Sequence, residues 1–206
     1  MTVRHPYERL VSAYTNKLKD CIQIMFRDGL MLEILREHRE VNESLSQEDK
    51  ETLLEAARLE CWKPLDERTV DPDNPYMNPL GVTFIEFIKK VISTYLKNGH
   101  RPPHNDPHWL PASDMCAICS IDYDIIEKFE TLERDHHYVM YKAGLLELLP
   151  MIAGSHSNSA RRTHTVYDYF KLLDETQLWY LSQMYMEDFE LFGYTPHYYV
   201  KYDPRL

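Results

Sequence analysis
Hydrophobic positions recur at helical spacing in three stretches of the chain and cluster in a fourth. After Pro6, the residues Tyr7, Leu10, Val11, Tyr14 and Leu18 sit three or four apart, the spacing that gathers apolar side chains on one helical face. Proline suits the start of such a helix, because the first turn has no use for its missing N–H. The pattern predicts a helix over about 6–20. Phe84, Phe87, Ile88, Val91 and Tyr95 predict a second amphipathic helix, and Leu178, Leu181, Tyr185, Phe189 and Phe192 a last one. Between them, "YDIIEKFETL" concentrates β-branched and aromatic residues, which predicts one buried strand near 125–131. A helix is expected to follow over about 134–143. A strand set between helices, with no internal repeat, points to an α/β domain.

Polar stretches separate these elements. Residues 33–62 are acid-heavy, and Ser46 with Asp49 resembles a capping box before Leu53, Leu54 and Ala57. The segment reads as a solvated helical insertion within one domain spanning 1–206. Residues 63–79 hold four prolines and form an irregular connection. A second loop, "GHRPPHNDPHWLPAS", is rich in histidine and proline, and loops of this kind carry function when a scaffold holds them in place.

Composition narrows the choices. A chain of 206 residues with 44% hydrophobic content can bury a core. Its formal charge of −10 argues against nucleic-acid binding, since a phosphate-tracking surface is net basic. No run of some 18 apolar residues offers a membrane span, and Arg4, His5 and Glu8 interrupt any leader-like start. The cysteines Cys21, Cys61, Cys116 and Cys119 permit three pairings. With the sequon Asn42-Glu43-Ser44, they lean toward the secretory pathway.

The candidate chemistry starts at "TVRHPYERLVSAY". Arg4 falls at the end of a strand-like stretch and Ser12 about two turns into the following helix, so a group above the junction can meet both. Helix N-termini favour anions, and arginine adds a charge-assisted fork for phosphate. Arg4 and Ser12 are thus a candidate phosphate clamp. The competing reading pairs Arg4 with Glu8 one turn on and leaves Ser12 as helix surface. A separate constellation, His104, His108, Cys116 and Cys119, has zinc-ligand spacing and keeps a small zinc module open as an alternative.

"VRHPYERLVSAY" resembles the 3′-phosphate-binding segment of the Golgi carbohydrate sulfotransferases, which include the chondroitin, dermatan and HNK-1 enzymes. The resemblance continues in order through "HW", "CAIC", "YDIIEKFETL" and "DFELFGY". It implies a helix-rich, P-loop-like α/β sulfotransferase fold with 3′-phosphoadenosine 5′-phosphosulfate as co-substrate and a carbohydrate hydroxyl as acceptor. By matching position, Arg4 and Ser12 hold the 3′-phosphate, and Arg161, Arg162 and Thr163 of "SARRTHT" are further donor contacts. No metal is expected in catalysis, and cysteines at these positions form disulfides or pack as small apolar residues. For the base that takes the acceptor proton, His108 is the first candidate and Glu130 the second, each set against a structural hydrogen bond or ion pair. His5 is expected to shape the turn ahead of Pro6. Lys89, Lys90, Lys97, Arg101, Arg161 and Arg162 are candidates to line a groove for an anionic glycan.

The family's phosphosulfate loop, with its lysine, precedes the Val-Arg-His-Pro segment, and the chain begins at that segment. The sequence therefore reads as lacking the first strand, that loop and the membrane anchor. The expected setting is the lumenal face of the Golgi membrane, as a homo- or hetero-oligomer. The alternative to an enzyme is a non-catalytic truncated relative that acts as a binding or oligomerisation partner.

Overall fold
The structure, a computed structural model of the chain, describes residues 1–19, 30, 33, 34, 37, 46, 48, 82–99, 106–148 and 166–196. Two short strands, β1 (Thr2–Val3) and β2 (Glu127–Lys128), run parallel, with Thr2 opposite Glu127 and Val3 opposite Lys128. The helices among the described residues are α1 (Pro6–Tyr14), α2 (Phe84–Asn98), α3 (Ala112–Met115), α4 (Leu132–Lys142), α5 (Val166–Phe170), α6 (Glu175–Met184) and α7 (Met186–Phe192). Parallel strands need a long crossover, and α1 to α3 lie within it.

The core forms around α1. Tyr7, Leu10, Val11, Tyr14 and Leu18, the stripe set by the sequence, are wholly buried. Tyr7 stacks on Phe170 with ring centroids 4.3 Å apart, and Tyr14 meets Phe84 edge-on at 5.3 Å. The Tyr14 hydroxyl donates to the Val82 carbonyl at 2.9 Å, so its polar end is satisfied inside the core. Phe84, Phe87, Ile88 and Val91 of α2 and Leu181, Tyr185 and Phe189 of α6 and α7 complete the cluster. Each such burial contributes about 1.5–3 kcal/mol before conformational entropy is counted.

Three expectations shift in the structure. The first helix ends at Tyr14, and Thr15–Lys19 continue as a wider π turn. There the Thr15 hydroxyl donates to the Val11 and Ser12 carbonyls at 2.9 and 3.1 Å, offering the backbone an alternative to the regular ladder. The expected end at Asp20 lies outside the described residues.

The strand is two residues long rather than seven, and its burial is the reverse of its hydropathy: Ile126 and Phe129 are 40% and 45% exposed, whereas Glu127 is 8% exposed. Glu127 tolerates burial because it accepts from the Thr2 hydroxyl at 2.9 Å and lies 3.1 Å from His136 Nδ1. Asp135 ends the strand by accepting the Lys128 N–H at 3.0 Å and the Thr131 hydroxyl at 2.7 Å. These bonds, with Arg134, hold its carboxyl down at about 2. Phe129–Thr131 form a 3₁₀ turn, and α4 starts at Leu132.

The last predicted helix is two helices, α6 and α7, broken at Tyr185 (φ −108°, ψ 16°). Most of the expected acidic insertion, Asp49 of its Ser46–Asp49 box included, and the whole of the 63–79 connection lie outside the described residues.

Candidate functional site
The β1–α1 junction is built from both ends of the chain. His5 is the N-cap of α1: its Nδ1 accepts the Tyr7 N–H at 3.2 Å, which leaves the ring proton on Nε2, 3.2 Å from the Thr195 carbonyl. Burial pushes the His5 pKa below its ordinary 6.5, against smaller opposing pulls from the Thr195 carbonyl and the Glu130 and Glu8 carboxylates. His5 is therefore a neutral cap near neutral pH.

Glu130 closes the other side of the junction. One oxygen accepts the His5 backbone N–H at 2.7 Å and the other accepts the Tyr194 hydroxyl at 2.8 Å. Burial, and next the bond to Glu130, push the Tyr194 hydroxyl pKa up. Glu130 sits on the 3₁₀ turn after β2, not within the strand expected from sequence.

Arg4 packs against Phe129 and Glu8 beside these groups. Its guanidinium lies 4.6 Å from the centre of the Phe129 ring, and its Nη2 and Nε donate to Glu8 at 3.0 and 3.3 Å. The two side chains are 16% and 26% exposed. Partly solvated i,i+4 pairs are worth at most about 1 kcal/mol, so the bond to Glu8 is one that a stronger anion can displace. Ser12 is half-buried on α1, and its hydroxyl bonds none of the described residues.

The other predicted site residues divide. His108 is on the proline-rich loop, where Asp106 accepts its backbone N–H at 2.8 Å and lies 2.5 Å from its Nδ1. None of these bonds reaches Arg4, Ser12 or Glu130. Next to it, Trp109 is buried edge-on to Phe87 at 5.4 Å. Arg161, Arg162 and Thr163 lie outside the described residues, as do Arg101 and His104.

Lys90 does not line a groove. It is 7% exposed and is held by Glu33 at 2.6 Å and Glu37 at 3.0 Å, while Lys97 reaches Glu37 at 3.4 Å. Those bonds tie the acidic segment to α2. Cys116 is half-buried and Cys119 exposed, both as free thiols, and no three potential metal ligands cluster among the described residues.

Sequence reasoning missed Phe129 and Tyr194 as parts of the junction. A signal for Tyr194 was present in Gly193, whose left-handed backbone (φ 61°, ψ 40°) ends α7 and turns the chain back toward β1. Phe129 carried no signal, because an aromatic residue in a strand-like run reads as core.

A parallel strand pair with intervening helices is the arrangement of an α/β protein, and Arg4 stands in it between strand end and helix start. Comparison with known proteins makes the class specific. Residues 1–195 match the model of the sulfotransferase family, and the chain belongs to that family. It is 37% identical over 122 residues to carbohydrate sulfotransferase 9 of Homo sapiens, covering 58% of this chain and 26% of that protein. Against carbohydrate sulfotransferase 11 of Mus musculus the identity is 29% over 203 residues, covering 98% of this chain and 48% of the relative. With carbohydrate sulfotransferase 14 of Danio rerio it is 25% over 194 residues, or 94% and 43%. The chain thus spans less than half the length of these relatives. No solved structure matches it. Among the described residues, no helix is long and apolar enough to cross a membrane.

Proposed function
We propose that the chain is part of an enzyme that moves a sulfuryl group from 3′-phosphoadenosine 5′-phosphosulfate to a carbohydrate hydroxyl. The observation that carries this reading is the sulfotransferase match over residues 1–195, in which Arg4 stands at the strand-to-helix junction. Arg4 and Ser12 hold the 3′-phosphate. The fit rests on two features: a guanidinium restrained, among the described residues, only by Glu8 and Phe129, and a hydroxyl with no bond to a described residue. A phosphate dianion outcompetes the Glu8 carboxylate for the guanidinium fork. Arg161, Arg162 and Thr163 supply further donor contacts on the resemblance alone.

In the transfer, the acceptor oxygen gains the sulfuryl group and loses its proton, and adenosine 3′,5′-bisphosphate leaves. His108 is the proposed base, because a carboxylate behind Nδ1 orients the ring and fixes its tautomer. Glu130 is the weaker candidate, since its oxygens are already committed to the His5 N–H and the Tyr194 hydroxyl. The acceptor is a glycosaminoglycan or glycoprotein glycan, and the setting is the Golgi lumen.

Arg4→Ala tests the assignment. The substitution is expected to weaken binding of adenosine 3′,5′-bisphosphate by roughly 1.5–3 kcal/mol, the usual range for a hydrogen bond to a charged group. Calorimetric titration of wild-type chain and variant checks it. Equal affinities would remove Arg4 from the donor site.

A further inference from the structure
Arg9 stands out on α1. Its Nε and Nη2 are shut off from solvent, yet neither has a hydrogen-bond partner among the described residues. The guanidinium lies at the Tyr185 hydroxyl, which donates its own proton to the Trp109 carbonyl at 2.5 Å and so has its oxygen free to accept. Asp188 is near, but its oxygens take the Ala112 and Ser113 N–H groups at 2.8 Å each. No carboxylate of a described residue forms an ion pair with Arg9. A desolvated cation with unused donors and no direct ion pair to a described residue is costly in a folded protein. Trp109 Nε1 and Ser113 Oγ are likewise covered and unbonded among the described residues, on a 109–113 segment that is tied to Tyr185 and Asp188 by the Trp109 carbonyl and the Ser113 N–H.

We propose that Arg9 is the centre of a second oxyanion site, distinct from the Arg4 junction, in which Nε and Nη2 fork onto a sulfate, phosphate or carboxylate group. The two arginines point to different surroundings. Arg4 lies against Phe129 and Glu8, whereas Arg9 lies against Tyr185. Arg9 is half-buried, so its side chain reaches the surface although Nε and Nη2 themselves are covered. The fork geometry selects an anion with two oxygens to offer. In a sulfotransferase that group belongs to the phosphate-bearing donor or to an anionic glycan acceptor.

Sodium sulfate is the probe, titrated into the full chain at constant ionic strength and followed by NMR of the arginine Nε–H groups. The expected result is a saturable shift of the Arg9 resonance in the wild type. The Arg9→Gln variant should bind sulfate at least tenfold more weakly by calorimetry, with Lys142→Gln, which removes an exposed charge, unchanged. Arg9→Lys keeps the charge without the fork and is expected to lose affinity severalfold, which covers the case in which Arg9→Gln does not fold. Displacement of sulfate by adenosine 3′,5′-bisphosphate assigns the oxyanion to the donor, and displacement by chondroitin oligosaccharides assigns it to the acceptor. No shift of the Arg9 resonance, or equal affinity in Arg9→Gln, would overturn the site. So would a response lost in Arg4→Ala and kept in Arg9→Gln, and that result would leave the Arg4 assignment standing.

Discussion
Ala117 has a backbone that its side chain resists. Its φ is 47°, in the left-handed region, and it follows α3 at the position where helices commonly end on glycine. The bonds of that motif are present: the Ile118 N–H reaches back to the Ser113 carbonyl and the Ala117 N–H to the Asp114 carbonyl, each at 3.4 Å. Left-handed backbone costs a non-glycine residue about 1–2 kcal/mol, and the greater freedom of glycine when unfolded returns part of that. Ala117→Gly is therefore expected to stabilise the chain by about 0.5–1 kcal/mol. A urea midpoint that does not rise would show that neighbouring contacts already compensate. The same scale explains Glu127: its burial comes from bonds to Thr2 and toward His136, and hydropathy alone cannot anticipate a carboxylate whose partners lie on other elements.

At the scale of elements, the long helices were legible and the strand was not. The capping box of α2, with Thr83 and Glu86 bonded reciprocally, and that of α6, with Asp174 and Gln177, are local in sequence and specify where those helices begin. The buried stripes of α1 and α2 followed their spacing for the same reason. The strand is fixed instead by a partner far away in the chain, and the apolar residues on either side of it, Ile126 and Phe129, face out. Tyr185 broke the last stripe without disturbing its periodicity, because α7 resumes on the buried side.

Helix α1 also carries a pH dependence through its cap. The folded pKa of His5 lies below the unfolded 6.5, so the unfolded chain takes up the proton first. The stability contributed by neutral His5 is complete above about pH 6.5 and is lost as the pH falls below it. The urea midpoint is expected to drop more between about pH 7.5 and pH 5.5 in the wild type than in His5→Asn, which keeps a capping acceptor that does not titrate. Parallel profiles for the two proteins would contradict the neutral cap.

In the whole molecule, a few polar ties hold distant segments together. Asp188 is 1% exposed and binds α7 to the start of α3 through two backbone N–H groups, 76 and 75 residues away. Asp188→Ala is expected to cost about 3 kcal/mol, because it strands two buried donors, and Asp188→Asn less, because one acceptor oxygen remains. Equal midpoints for wild type and Asp188→Ala would refute the tie. Much of the junction's construction was illegible in sequence for a related reason: Glu130, Tyr194 and Thr195 reach it from 125 to 190 residues away, and no local pattern encodes such a meeting.

The register of β1 on β2 has a consequence for biosynthesis. Thr2 meets a residue 125 positions later, and closing a loop of that length costs roughly 4 kcal/mol of chain entropy that no local contact offsets. Ribosomes add about 5–20 residues per second, so Arg4 is made roughly 6–25 s before the turn that completes its surroundings. Over that interval Tyr7 lacks the Phe170 and Phe189 rings that it packs on in the fold, because both are made later still, and the nascent chain presents it to chaperones.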